Sequence, residues 1–149
     1  MTALELEEYT GFLVRRAQQA HASLWFREVS TEITSVQFGA LDLLQRHPGI
    51  DQRTLGEHLQ LDRSTVADVS SRLQARGDIR RERDQLDRRR NILHLTSQGL
   101  DVVTELQPAA RKVNDLLVEN LGEHDRTELR RLLHALLDSP GISRLIAEE

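Results

Sequence analysis

The sequence predicts a mainly α-helical fold with one small β-hairpin, and three observations predict it. Apolar residues recur at helical spacing along most of the 149 residues. Two short amphipathic segments, beginning at Asp51 and Asp62, are separated by only a tight turn. An arginine-laden stretch ending in strand-like alternation follows them, from Ile79 to Leu95. A helix pair at that spacing presents its second member to a DNA major groove. The basic hairpin after it sets guanidinium groups against phosphates or the neighbouring minor groove. The expected fold is a winged helix-turn-helix, with the remaining helices at the two ends of the chain.

Each element has its own local reason. Leu4 to about Ser30 lacks proline and reads as one long helix with Leu6, Tyr9, Leu13, Ala17, Ala20, Leu24 and Trp25 as its apolar positions. Thr34 with Gln37 forms a capping-box pattern opening a second helix, which turns Phe38, Leu41 and Leu44 inward and ends before Pro48-Gly49. Asp51 caps a third, short helix with Leu55 and Leu59 inward and Gly56 offering close approach to a crossing helix. Asp62 caps the fourth, which stops at Gly77, a residue suited to the left-handed position after a helix. Strands are expected over 79–84 and 90–95, with Gln85–Arg88 as the tip. Thr96 opens a fifth helix running to Leu121 and bent at Pro108. The last spans Glu123 to Leu137 with Leu129, Leu132, Leu133 and Leu136 on one stripe. The whole reads as a single domain, 1–149.

Charge divides the chain. The net charge is −4, yet from Arg63 to Arg90 nine arginines face five acids. The rest of the chain carries 11 basic and 19 acidic residues. A basic lobe on an acidic body draws DNA to one face and repels it elsewhere. Cysteine is absent, which removes disulfides and thiolate metal sites, and the six histidines (21, 47, 58, 94, 124, 134) show no metal-ligand spacing. No metal or cofactor is expected. Neither a phosphate loop nor a nucleophile elbow is present, so the pattern does not suggest an enzyme. No stretch of about twenty apolar residues occurs, and the acidic N-terminus lacks a signal peptide's basic start. A cytoplasmic protein without membrane contact is the expectation.

On the fourth helix Val66, Val69 and Leu73 share one side and must face the core. The other side holds Ser64, Asp68 and Ser71, flanked by Arg72, with Arg63 and Thr65 in the first turn. Ser64 and Thr65 suit phosphate oxygens or base edges, and Arg72 suits guanine or phosphate. Asp68 either accepts from a cytosine amino group or orients Arg72 one turn later. In the hairpin, Arg80, Arg81, Arg83, Arg88, Arg89 and Arg90 fall within eleven residues. Acids among them look counterproductive, but Asp87 is placed to hold a guanidinium in one orientation. The terminal helices carry more leucine than so small a lobe covers. A second copy would cover it, making 1–33 and 97–149 dimerisation helices around a DNA-binding lobe at 34–96.

At these residues the chain resembles the MarR family of winged helix-turn-helix regulators. The run Asp87-Arg88-Arg89, then Leu95-Thr96 and Gly99, looks like the family's D-x-R wing and LT-x-x-G strand exit. Ser64-Thr65-Val66 through Leu73 and Arg76-Gly77 fits its recognition segment. The resemblance implies that Arg89 enters the minor groove and Asp87 positions it. Gln85 stands where proline is common at the tip, and Asp78 replaces the usual apolar residue after the glycine. Arg15-Arg16 through His21, with Trp25 and Thr34–Phe38, is similar to members that repress aromatic-acid catabolism and release DNA on binding a phenolic carboxylate such as protocatechuate. That likeness implies a pocket in which Arg15 pairs with the carboxylate, His21 bonds a ring hydroxyl and Asn114 adds a polar contact. The expected partners are thus a pseudo-palindromic duplex, an aromatic acid and a second copy of the chain. Two other readings stand beside this one: a sensor of a CoA thioester or antibiotic-like compound on the same scaffold, and a winged-helix interaction module without DNA affinity.

Overall fold

A computed structural model describes residues 3–148, with side chains placed from 5 to 146. The chain runs α1 (Ala3–Leu6), α2 (Thr10–Glu28), α3 (Ser35–Arg46), α4 (Gln52–Leu59), α5 (Arg63–Arg76), β1 (Ile79–Arg83), β2 (Asn91–Leu95), α6 (Ser97–Leu117), α7 (Glu123–Leu137) and α8 (Pro140–Glu148). The expected helix-rich architecture with a single antiparallel hairpin is what the chain adopts, β1 pairing β2 with Ile79 opposite Leu95 and Arg83 opposite Asn91.

The caps read from sequence are in place. Thr34 and Gln37 exchange both bonds of a capping box, at 3.1 and 3.0 Å. Asp51 accepts the Thr54 N–H at 2.7 Å, and Asp62 the Thr65 N–H at 2.6 Å. Each bond satisfies an amide the helix leaves without a partner. Gly77 ends α5 at φ 86°, a left-handed conformation that costs glycine little. Leu41, Leu44, Leu55, Leu73 and Leu93 are wholly buried where α3, α4, α5 and the hairpin meet, joined by Val66, Val69, Ile79 and Val103. Gly56 lets α4 and α5 touch: a Cβ there would lie 3.1 Å from Val66 Cγ1. α2 packs along α6, and its Trp25 indole donates to the Ile33 carbonyl at 2.7 Å, tying that pair to the lobe.

Several boundaries differ from the sequence reading. The first helix breaks at Glu7–Tyr9 and ends at Glu28. Glu5, Glu7 and Glu8 crowd like charge into that turn, with Glu5 and Glu8 at a repulsive i,i+3 spacing. α6 continues through Pro108 but stops at Leu117 rather than Leu121. There the Arg126 guanidinium takes over the carbonyls of Val118 and Leu121, at 3.1 and 2.8 Å. Each strand is one residue shorter than expected at the tip, where Asp84 and Arg90 close the loop through one backbone bond of 3.0 Å. A final helix, α8, was not anticipated. Its signal was Ser139-Pro140, a capping serine before a proline whose missing N–H costs nothing at the first helical position.

Candidate DNA-binding surface and effector groove

α5 owes its orientation to its buried side. With Val66, Val69 and Leu73 in the core, Arg63, Ser64, Asp68, Ser71 and Arg72 are exposed and Thr65 is half-buried. This face is organised by charge. Asp62 receives the Thr65 amide and the hydroxyls of Ser64 and Thr65, both at 2.8 Å. The Thr65 amide, then the Ser64 hydroxyl, hold its carboxyl below the usual aspartate range. Asp68 meets Arg72 one turn later at 2.8 Å, the orienting alternative of the two considered.

The hairpin is tied to the helix pair at several points. Arg90 bridges Asp51 at 2.7 Å and Asp84 at 3.1 Å, and the Leu93 amide donates to the Ile50 carbonyl at 2.9 Å. Burial works against the Asp51 charge, but the Thr54 amide and the Arg90 guanidinium outweigh it and lower its pKa. Arg83 Nη1 donates to the Arg88 carbonyl at 2.6 Å, and Arg81 Nη2 to Ser71 Oγ at 3.2 Å, joining β1 to α5. At the tip, Asp87 Oδ1 accepts the Arg89 amide at 3.1 Å and its Nε at 3.2 Å. The guanidinium lowers the Asp87 pKa, while the Arg89 side chain stays 92% exposed. Arg88 is exposed beside it. The pairing of Asp87 with Arg89 read from sequence is present in the fold.

Asp78 carries a contact the sequence reading lacked. It is wholly buried, and its carboxylate takes Arg76 Nε and Gln98 Nε2, both at 2.8 Å. The Asp78 carbonyl accepts the Thr96 amide at 3.1 Å and presses on Gly99, where a Cβ would come within 1.9 Å of it. The end of α5, the start of β1 and the start of α6 therefore meet at one point. The charge at 78 is affordable only because Arg76, one element back, and Gln98, twenty residues on, converge there.

A groove of about 500 Å³ lies between α3 and α6, with Phe38, Asp42, Gln107, Arg111, Asn114 and Asp115 in its walls. Gln107 is held by Gln45 at 2.8 Å. Phe38 stacks at a tilt on Trp25, ring centroids 5.3 Å apart, and Trp25 on His21 at 6.4 Å. Of the three sequence-predicted pocket residues, Asn114 lines the groove and His21 stands two rings from it. Arg15 lies over the Phe12 ring at 5.3 Å and is not among the residues that line the groove. Arg111 and Phe38 were missed. Arg111 sits three residues before Asn114, the spacing that puts two side chains on one helix face, and that was the signal for it.

A capped, exposed helix backed by a core and roped to an arginine-tipped hairpin defines a winged helix-turn-helix DNA-binding protein. The MarR family profile matches residues 33–90, the lobe just described. The chain belongs to the MarR family of transcriptional regulators. It is 41% identical to the PcaV transcriptional regulator of Streptomyces coelicolor, solved in complex with its natural ligand; the likeness covers 93% of this chain and 99% of that one, with a TM-score of 0.88. It is 30% identical over 139 residues to the transcriptional repressor NicR of Pseudomonas putida, covering 93% of this chain and 88% of NicR. Bordetella bronchiseptica BpsR, described in terms of regulation of its DNA binding by 6-hydroxynicotinic acid, is 28% identical with a TM-score of 0.78, over 86% of this chain and 98% of BpsR. Relatives and fold are those of regulators rather than enzymes. Among the described residues, no helix is long and apolar enough to cross a membrane.

Proposed function

We propose that the chain is a homodimeric repressor of an aromatic-acid catabolic operon, acting on chromosomal DNA in the cytoplasm and released from it by a phenolic carboxylate such as protocatechuate. The observation that carries this reading is the α3–α6 groove. It has an aromatic wall (Phe38, backed by Trp25), a guanidinium (Arg111) and an amide (Asn114), beside the carboxylates of Asp42 and Asp115, in a chain so similar to a regulator solved with its natural ligand. An aromatic ring with an acid group needs that set: apolar contact for the ring, a charged donor for the carboxylate, a neutral donor or acceptor for a hydroxyl.

In this reading α5 enters the major groove with Arg63, Ser64, Thr65, Asp68, Ser71 and Arg72. Arg89, aimed by Asp87 and flanked by Arg88, enters the minor groove. Dimerisation is supported by α7, none of whose residues is buried although Leu129, Leu132, Leu133, Leu136 and Leu137 are all at least 36% exposed. A two-fold pair would cover that stripe and place two α5 helices about one DNA turn apart. The effector acts by binding more tightly to the conformer whose α5 helices are mis-spaced, and only that difference in affinity moves the equilibrium. The groove and the α5 junction share α6, through Asn114 and Arg111 at one end and Gln98 and Gly99 at the other.

Two arginines compete for the carboxylate: Arg15 on α2 and Arg111 in the groove wall. Titrating protocatechuate and 6-hydroxynicotinic acid into the purified protein, with melting temperature and operator release as readouts, tests the reading. Stabilisation and release by one acid are expected, abolished by Arg15→Ala or Arg111→Ala while operator binding persists. An aromatic acid that neither stabilises nor releases, while a CoA thioester does both, refutes the effector class.

A further inference from the structure

The polar face of α5 has a set hydrogen-bond polarity, because its hydroxyls are already committed to charged neighbours. A serine or threonine hydroxyl carries one hydrogen and two lone pairs. Ser64 Oγ lies 2.8 Å from Asp62 Oδ1, and Thr65 Oγ1 2.8 Å from Asp62 Oδ2. An ionised carboxylate only accepts, so both hydroxyl hydrogens are directed at Asp62. What Ser64 and Thr65 have left to offer a ligand is lone pairs. Asp68, one turn after Ser64, likewise only accepts. Further along the helix the polarity reverses. Ser71 Oγ accepts from Arg81 Nη2, which leaves the Ser71 hydrogen to give, and Arg72 only donates.

From its N-terminus the exposed face therefore reads acceptor, acceptor, donor, donor at Ser64, Asp68, Ser71 and Arg72. In the major groove the only donors are the exocyclic amino groups of cytosine and adenine; guanine and thymine edges, and every phosphate oxygen, accept. We propose that Asp62 is a specificity-determining residue: by holding the hydroxyl hydrogens of Ser64 and Thr65, it makes the first turn of α5 select a base that carries an amino group. This rests on the reading of α5 as the major-groove helix. It narrows the sequence expectation, in which Ser64 and Thr65 served phosphates and base edges alike. It also accounts for an acid at the entry of a DNA-facing helix, where net charge alone argues against one.

Three substitutions separate the roles. Asp62→Gly frees both hydroxyls at small cost to the cap. Asp62→Asn keeps the Thr65 amide and Ser64 hydroxyl bonds through its carbonyl, but its NH₂ stands where Oδ2 was and donates to Thr65, turning only that hydroxyl round. Ser64→Ala removes an acceptor without touching the cap. Preferred sites are selected from a pool of randomised duplexes by the full-length wild type and each variant, and affinities are measured on the winners. The wild type is expected to require cytosine or adenine at one position of each half-site, with about tenfold discrimination against guanine and thymine. Asp62→Gly and Ser64→Ala lose that discrimination, and Asp62→Asn keeps it where Ser64 makes the contact but admits guanine or thymine where Thr65 does, while preferences under Ser71 and Arg72 and the melting temperature hold. If Asp62→Gly, which frees both hydroxyls, keeps the wild-type preference at every position, the proposal is overturned. If Ser64→Ala and Arg72→Ala both leave affinity and preference untouched, the groove reading itself falls, and the proposal with it.

Discussion

Removing the Arg89 guanidinium tests the wing most directly, because the structure separates its contribution to folding from its contribution to binding. The side chain is 92% exposed and, among the described residues, pairs with Asp87, itself 39% exposed. Exposed pairs of this kind add little to stability, so Arg89→Ala should leave the melting temperature within a degree or so of wild type. Binding is another matter. Each phosphate charge neutralised contributes about 0.9 to the slope of log affinity against log salt, and a dimer loses two guanidinium groups, so the slope should flatten by about 1.8. Between about 50 and 200 mM salt, that difference makes the variant's deficit roughly twelvefold larger at the low end than at the high end. Fluorescence anisotropy on a labelled operator across that range reads both affinity and slope. A variant with an unchanged slope would refute the placement of Arg89 against DNA, however much its affinity fell. Asp87→Ala is the companion measurement: the charge stays, its aim is lost, so affinity falls while the slope holds.

Three further outcomes follow from the geometry. Gly99→Ala drives a methyl group onto the Asp78 carbonyl, a backbone atom with no room to yield; a loss of about 3 kcal/mol is expected, seen as a melting temperature lower by roughly 6–12 °C, and an unshifted transition would mean the junction is loose. Leu133→Glu puts a charge into the α7 stripe and should convert a dimer to monomers in sedimentation, with loss of operator binding; a persisting dimer would place the interface elsewhere. Asp51, Asp62 and Asp87 all have folded-state pKa values below the ordinary aspartate value of 3.8, so their stabilisation is complete above that value and drains away as pH falls through the lowered ones. Thermal melts from about pH 5 down to about pH 3 should show a falling melting temperature, less steep in Asp51→Asn; identical acid limbs would exclude the Asp51–Arg90 pair from that loss.

Much of this was legible locally. The starts of α4 and α5 and the end of α5 rest on capping and stop signals, and those signals are chemical: Asp51, Asp62 and Gly77 do what their side chains, or lack of one, dictate. The Asp87–Arg89 contact was equally readable, since two residues of separation in a tight loop leave little choice of partner. Asp78 was not readable. From sequence it stood out only as a charge where an apolar side chain is usual, and its partners lie on two different elements. Arg15 rests on the resemblance alone: which way a long exposed helix turns a side chain depends on what packs against it, and in the described chain its guanidinium lies over the Phe12 ring. The groove needed Phe38 and Arg111 brought together from α3 and α6, a separation no periodicity reports.

The arginine count misleads unless each guanidinium is followed to its partner. Nine stand between Arg63 and Arg90, a density that reads as a wholly DNA-facing surface. In the fold Arg76 is committed to Asp78, Arg90 to Asp51 and Asp84, Arg80 to Glu82, and Arg72 to Asp68. Arg83 braces the loop through the Arg88 carbonyl and Arg81 joins the wing to α5. The acids that looked misplaced in a basic hairpin are thus what gives it shape, because a two-stranded ribbon has too little apolar surface to hold itself in one conformation. Arg90 and Asp51 fasten it to α4, Arg81 to α5, and Asp87 then needs only to aim one cation. The cost is a lower positive charge than the sequence suggests; the return is a hairpin fixed against α4 and α5, with the Arg89–Asp87 pair at its tip.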